Sequence, residues 1–369
     1  MDLVPLLQAL VRIDSTSSRP NGHVLDLLEG ELKGRGFTFQ RSAWIDDHGV
    51  PKENLVCRRG PDRPGGLMLL GHTDCVPFAA EWAEALSGVE RDGCIHGRGS
   101  ADTKGFLAAA VTAACRTRAG KQPLTLLFTA DEEVGCVGSR KLAEAKPLSP
   151  RYAIVGEPTS LTPVRAHKGY CLARVEVIGR EAHSAHPERG ASAIFAAGLL
   201  LARIDDLGRA LSQERHEGFD PPFTTVNVGV LRGGEAPNVV AGSCRFTLEW
   251  RPLPGEAPSR VLDAVRGLAH EVGLARGVGV SVKPLRLDRG LETSPAGDLV
   301  RFLEQAGGRA PATVAYYTDA PHLAELGAQV AVFGPGDIRV AHATGEFVPC
   351  EELKSCADVL ARAITHFCG

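Results

Sequence analysis

The sequence predicts an α/β architecture: a mostly parallel sheet with helices on both faces, and a ferredoxin-like α+β domain inserted into it. Three observations carry this. Short apolar runs at 66–70, 124–129 and 152–155 have the length and β-branched content of buried strands. Helical patterns alternate with them, which argues for parallel strands shielded on both sides. Between 168 and 285 the texture changes to alternating strands and two helices in the order β-α-β-β-α-β, the ferredoxin-like pattern.

In order, Leu3, Leu6, Leu7, Leu10 and Val11 recur at helical spacing, so 1–11 reads as an amphipathic helix starting near Pro5. A second helix over 24–33 is stopped by Gly34 and Gly36. Segments 37–42, 54–58 and 66–70 read as strands, and 61–66 as a turn. The stretch 79–91 reads as loop, and 106–116 as a buried helix entered through 102–105. Strands 124–129 and 152–155 flank a helix near 139–145. The inserted pattern comprises strand 170–178, helix 191–205, strands 225–231 and 244–250, helix 259–272 and strand 278–284. Segments at 298–305, 313–317, 320–326 and 329–333 resume the α/β pattern, and a helix over 351–366 ends it. The division is therefore one α/β domain of 1–166 and 287–369, interrupted by an inserted α+β domain of 167–286.

Composition narrows the function classes. A net charge of −3 with 23% charged residues provides no basic field for nucleic acid or an anionic membrane surface. Aromatic residues at 5% are too few for base-stacking platforms. The ten cysteines are scattered without a C-x-x-C spacing, which argues against a zinc ribbon and for reduced thiols packed as small apolar groups. The N-terminus lacks the positive start and cleavage site of a signal peptide. The longest apolar stretch, 106–115, is far shorter than the ~20 residues of a spanning helix. A soluble cytoplasmic protein acting on small polar metabolites is expected.

Four segments place acids or histidine where strands end, the edge at which open α/β sheets collect ligands. In His72-x-Asp74 the two side chains point the same way in an extended chain. An imidazole that binds metal commonly gives its other N–H to a carboxylate, and Asp74 is such a partner or itself a ligand. Glu132-Glu133 follows a strand, and because adjacent residues diverge, one can hold a metal while the other collects a proton from water. Asp102 lies between Gly97-Arg98-Gly99 and Lys104-Gly105, where glycines let backbone approach a site. Glu157 follows a buried strand, and His342 lies in a loop after the last strand. Each alone has an ordinary reading: a core histidine, a solvated acidic loop, a helix N-cap, a loop acid, a surface histidine. Their joint occurrence in this order does not.

The segments Gly71-His72-Thr73-Asp74-Cys75-Val76-Pro77, Gly97 through Gly105, Thr129-Ala130-Asp131-Glu132-Glu133-Val134-Gly135 and Gly156-Glu157-Pro158-Thr159 resemble the signatures of the M20-type dinuclear-zinc amidohydrolase and peptidase family. The resemblance spans essentially the whole chain and implies that 1–166 with 287–369 is the catalytic domain and 167–286 an inserted lid or dimerisation domain. It implies a zinc-exopeptidase-like fold in which Asp102 bridges two metals, His72 and Glu157 complete one, and Glu133 and His342 complete the other. It further implies Zn²⁺ or Co²⁺ ions ~3.5–4 Å apart, Glu132 as general base and then acid, and Asp74 orienting His72. The family also tends to hold the peptide bond after the bridging aspartate cis, here Asp102–Thr103. His183 matches the histidine that stabilises the oxyanion, reaching the partner subunit's site in a homodimer, with His186 as a second histidine nearby. Asn238 and Arg251 resemble residues that hold a substrate carboxylate, for which a guanidinium fork is suited.

Tyr317-Thr318-Asp319-Ala320-Pro321 and Glu132 through Arg140 resemble the acetylornithine deacetylase branch. Relatives commonly carry Glu where Asp319 stands. A shorter acid lining the pocket would admit a longer neutral side chain, so the expected substrate is N-acetyl-L-citrulline first and N-acetyl-L-ornithine next. The expected activity is amide hydrolysis releasing acetate and a free amino acid for arginine biosynthesis. Alternatives are a dipeptidase or desuccinylase with the same metal site, or a non-catalytic metal- or amino-acid-binding protein on the scaffold.

Overall fold

A computed structural model describes residues 2–145 and 148–369, so Met1 of the expected first helix lies outside the described residues. The chain divides into two compact units: Met1–Arg165 with Thr293–Ala312 and Thr318–Gly369, and Ala166–Glu292 with Thr313–Tyr317.

The first unit opens with α1 (Leu3–Val11), α2 (Gly22–Leu32), β1 (Thr38–Ile45), β2 (Pro51–Arg59) and β3 (Leu67–His72). Then come β4 (Val89–Arg91), β5 (Cys94–His96), α3 (Gly105–Arg116), β6 (Leu124–Thr129), α4 (Val137–Ala145) and β7 (Tyr152–Val155). Strand β8 (Val164–His167) leads out of it. The second unit holds β9 (Tyr170–Ile178), α5 (Ala193–Leu211), β10 (Thr225–Gly233), β11 (Ser243–Arg251), α6 (Ser259–Arg276), β12 (Gly279–Asp288) and β13 (Leu291–Glu292). The chain ends with α7 (Asp298–Gly307), β14 (Ala312–Val314), α8 (Ala320–Ala324), β15 (Gln329–Val332), β16 (Phe347–Pro349) and α9 (Cys350–Cys368).

The sheet of the first unit runs β1-β2-β6-β3-β7-β15, parallel from β6 to β15 and antiparallel where β1 and β2 extend it. Every residue of β3, β6 and β7 is buried, as a parallel sheet covered on both faces requires. One set of alternate side chains (Leu67, Leu69, Leu124, Leu126, Ile154) joins α1, α2, α3, α7 and α9 in the main core. Helix α3 is buried through ten consecutive residues because its alanines let α1 and α9 pack closely around it. The register pairs His72 with Thr129 and Leu70 with Val155, so β3, β6 and β7 end at one level. That shared edge is where the motif residues emerge.

The end of the stretch that reads as loop, Val89–Arg91, is strand β4, and Cys94–His96 just after it is strand β5. β4 and β5 pair with each other, and β5 pairs with β16 in a three-stranded sheet. At three residues each they are too short to show periodicity, and β16 is remote in sequence.

In the second unit β10-β11-β9-β12 form an antiparallel sheet, the spatial order of a ferredoxin-like fold. Alternate residues Cys171, Ala173, Val175, Val177, Cys244, Phe246, Leu248 and Trp250 are buried in one core with α5 and α6. Helix α5 extends to Leu211, past the expected 205, and the Ser192 hydroxyl caps it by accepting the Phe195 N–H at 3.2 Å. The unit's first and last residues meet: Ala166 pairs with Glu292 and His167 with Leu291. Among the described residues all ten cysteines are free, and no helix is long and apolar enough to cross a membrane.

Gly156, between β7 and Glu157, lies against the buried ring of Phe106, and a Cβ there would stand 2.0 Å from Cδ1. Gly156→Ala is expected to lower stability by about 1–3 kcal/mol. Urea unfolding followed by circular dichroism checks this; a midpoint equal to wild type would contradict it.

Candidate metal centre

β3 delivers His72 to the sheet edge and the next turn delivers Asp74. The His72 ring is 1% exposed and lies against two acceptors: Nδ1 is 3.0 Å from the Asp74 main-chain oxygen, and Nε2 is 3.0 Å from Asp102 Oδ1. The Asp74 carboxylate is further from Nδ1, at 3.6 Å. It accepts the Ser17 hydroxyl at 2.8 Å and the N–H groups of Glu132 and Glu133 at 3.1 and 3.3 Å. Asp74 thus holds the imidazole through its carbonyl and the acidic pair through its side chain.

After β6 the chain turns sharply at Asp131, whose φ of 61° is unusual for a residue with a Cβ. Lys52 holds that turn: buried, it pairs with Asp131 at 2.8 Å and donates to the Arg19 carbonyl at 3.0 Å. The turn aims the N–H groups of Glu132 and Glu133 at Asp74 and lets their side chains diverge. Glu133 meets His342, whose Nε2 lies 3.1 Å from Oε1 and 3.0 Å from Oε2. Glu132 instead accepts the Cys136 thiol at 3.4 Å.

Asp102 sits in a distorted turn before α3, with a cis peptide bond to Thr103. Its two oxygens face different imidazoles: Oδ1 faces His72, and Oδ2 is 3.3 Å from His342 Nε2. The Thr103 hydroxyl donates to the Gly156 carbonyl at 3.1 Å, tying this turn to the loop of Glu157. The His342 loop reaches the same place because Ser160 and Leu161 donate their N–H groups to the Gly336 and Gly334 carbonyls.

Charge is concentrated here. Burial alone would raise Asp102, but its bonds to His342 and His72 hold it below the usual carboxylate range. Glu157 and Glu132 are pushed well above that range, first by burial and then by neighbouring carboxylates: Asp102 and Glu132 for Glu157, Asp319, Glu133 and Asp102 for Glu132. Burial also raises Glu133, against its bond to His342. His342 is pushed up to about 10 by Asp102 and Glu133. Asp102, Glu132, Glu133 and Glu157 thus act on one another's charge beside two imidazoles, an excess of negative charge that divalent cations are suited to offset. Donor atoms of His72, Asp102 and Glu133 lie within 4.8 Å of one another. The oxygen and imidazole donors fit Zn²⁺ or Co²⁺, and Asp102, open to both sides, could bridge two ions.

The other expected site residues are placed as follows. Asp319 is 1% exposed, and its carboxylate accepts the hydroxyls of Ser139 at 2.5 Å and Thr129 at 3.1 Å. Donor atoms of Glu132, Cys136 and Asp319 lie within 4.8 Å of one another, so Asp319 stands beside the proposed base. His183, Asn238 and Arg251 belong to the second unit. His183 Nδ1 accepts the Ala185 N–H at 3.0 Å, and Asn238 is its neighbour through the Ser184 N–H, bound to the Asn238 carbonyl at 3.0 Å. His186 Nδ1 lies 3.6 Å from a Glu188 carboxylate oxygen. Arg251 lies over the Tyr170 ring at 4.8 Å, with Nε donating to Glu249 at 2.9 Å. Ser17, Lys52, Arg98, Cys136 and Glu346 escaped sequence reasoning; each is an isolated residue outside any motif spacing, apart from Arg98 and Cys136, which lie within quoted motifs.

Carboxylates and imidazoles gathered at the edge of a parallel sheet are a donor set suited to a metallo-amidohydrolase. The model of peptidase family M20/M25/M40 matches residues 68–366, and the chain belongs to that family. It is 51% identical, over 100% of this chain and 99% of the relative, to an acetylornithine deacetylase of Myxococcus xanthus. Among solved structures it resembles a Staphylococcus aureus tripeptidase at TM-score 0.81 and 21% identity, covering 99% of this chain and 98% of that one. It also resembles a dinuclear metal-binding M20 peptidase of Bacillus subtilis at TM-score 0.72 and 14% identity, covering 99% and 97%.

Metal-free protein titrated with Zn²⁺ in a calorimeter is expected to take up two ions per chain. Its melting temperature should rise with zinc, since a ligand at a hundredfold excess over its Kd stabilises by about 2.7 kcal/mol. A melting temperature indifferent to zinc would count against this donor set.

Proposed function

We propose that the protein hydrolyses the amide bond of N-acetyl-L-ornithine, releasing acetate and ornithine for arginine biosynthesis in the cytoplasm, with two Zn²⁺ or Co²⁺ ions as cofactors. The observation that carries the reading is Asp102, whose two oxygens face His72 and His342, with Glu133 also on His342. The full-length similarity to an acetylornithine deacetylase supports the substrate class.

Asp102, His72 and Glu157 would hold one ion, and Asp102, Glu133 and His342 would hold the other. When bound, such ions polarise the amide carbonyl and lower the pKa of water. Glu132 accepts the proton of the attacking water at its carboxylate and passes it to the departing nitrogen. Its raised pKa, from burial and the surrounding acids, suits a group that must hold a proton between two steps. Asp74 fixes Glu132 by accepting its N–H, and the Cys136 thiol donates to the Glu132 carboxylate.

His183 serves the oxyanion. Its Nδ1 is taken by the Ala185 N–H, so Nε2 carries the ring proton and is the donor. His186, beside Glu188, is the alternative for the role. Asn238 and Arg251 take the substrate carboxylate, the guanidinium being steadied by Glu249 and the Tyr170 ring. The working assembly is a homodimer in which His183 acts on the partner subunit's site.

N-acetyl-L-citrulline is the second reading, and Asp319 favours it. With Ser139 and Thr129 already bound to its oxygens, this carboxylate has less to offer a substrate ammonium, which suits a neutral ureido group.

Glu132→Ala should leave zinc stoichiometry intact and lower kcat by about 10²–10⁴-fold; unchanged turnover would remove Glu132 as the base. In an acetate-release assay across acetylated amino acids, acetylornithine should give the highest kcat/KM. Higher values for acetylcitrulline would select the second reading, and activity on dipeptides or succinylated substrates alone would overturn both.

A further inference from the structure

Behind the metal centre lies a buried ion pair to which neither the motifs nor the proposed reaction assigns a part. Glu346 is 0% exposed and Arg98 is 3% exposed, and Arg98 Nη1 donates to Glu346 Oε2 at 2.6 Å. Oε2 also accepts the Gly99 N–H at 3.1 Å, while Oε1 accepts the N–H groups of Ala101 at 3.0 Å and Asp102 at 3.1 Å. One carboxylate therefore binds three backbone donors of the turn that presents Asp102, the last belonging to Asp102 itself. In the reverse direction Gly97 donates its N–H to the Glu346 carbonyl at 2.9 Å.

The chain path explains the position. β5 and β16 pair through His96 and Phe347, and both segments then run toward the centre. One is 97–102, ending at Asp102; the other, followed backward from Glu346, reaches His342 four residues away. Between these two ligand-bearing arms Glu346 makes the cross-link, and Arg98 neutralises it, so no further uncompensated charge is added beside Asp102.

We propose that Glu346, neutralised by Arg98, is a positioning residue that sets the separation of Asp102 and His342 and thereby the affinity of the two-ion site. This rests on the metal-centre reading above. A carboxylate can accept from all three N–H groups and the guanidinium together. An amide of the same shape has one oxygen and would turn an NH₂ toward a buried donor. Loss of an outer contact that orients a metal ligand typically costs about 10–100-fold in metal affinity.

The test measures Zn²⁺ affinity and stoichiometry on metal-free full-length protein by chelator competition, with circular dichroism reporting folding. Glu346→Gln should weaken zinc binding about 10–100-fold, and Arg98→Lys, which keeps the neutralising charge, should retain most of it. Folded Glu346→Gln with wild-type zinc affinity would overturn the proposal, even if it melted earlier, because a merely structural contact shifts melting and not affinity. Should Glu346→Gln fail to fold, Glu346→Asp carries the same test: weaker zinc binding supports the proposal and unchanged binding overturns it. Wild-type protein that took up no zinc would instead defeat the metal-centre reading itself.

Discussion

Mutual repulsion among carboxylates is the constraint on which the first unit depends. Asp102, Glu132, Glu133 and Glu157 are brought to one sheet edge, and burial together with their neighbours' charge raises three of them. Groups so placed need fixed partners, and the surroundings provide them in layers. His72 and His342 meet the acids directly. The N–H groups of Glu132 and Glu133 are spent on Asp74, so the backbone of the acidic pair cannot drift. Lys52 and Arg98, both buried, stand further back and neutralise Asp131 and Glu346. Buried pairs of this kind contribute little net stability but are costly to break from one side. Their use here is to hold loops in one arrangement.

The sheet and the acids at its edge were legible because both obey short-range rules. Apolar runs of four to six residues between turn signals marked β3, β6 and β7. The alternation in β9 and β11, Cys171 to Val177 and Cys244 to Trp250, reveals the ferredoxin-like unit as clearly. Strands β4, β5 and β16 were not legible, since three residues carry no period and the pairing joins positions more than 250 apart. Glu346 and Arg98 share that obscurity, at a separation of 248 residues.

Asp319 shows the opposite difficulty: the residue was noticed for its position in a motif, but its surroundings could not be read. Only the fold reveals that Thr129 at the end of β6 and Ser139 on α4 both donate to it. The Asp319 carboxylate is buried, with both oxygens taken by hydroxyls. The relation of Asp74 to His72 carries a similar lesson. The two-residue spacing brought them together as expected, yet the main-chain oxygen makes the nearer contact and frees the side chain for the acidic turn.

The discontinuity of the first unit bears on how the molecule is made. Arg165 and Thr293, hydrogen-bonded at 2.8 Å, are neighbours in space but separated by 128 positions along the chain. β15, His342 and α9 all follow that gap, and β15 is the strand that lies against β7. On the ribosome the amino-terminal portion must therefore wait, with β7 unpaired on one side, while the whole ferredoxin-like unit is translated. The inserted stretch closes where Ala166 pairs with Glu292 and has a core of its own. A metal site that needs His342 together with His72 and Asp102 would thus be complete only after the inserted stretch has been made.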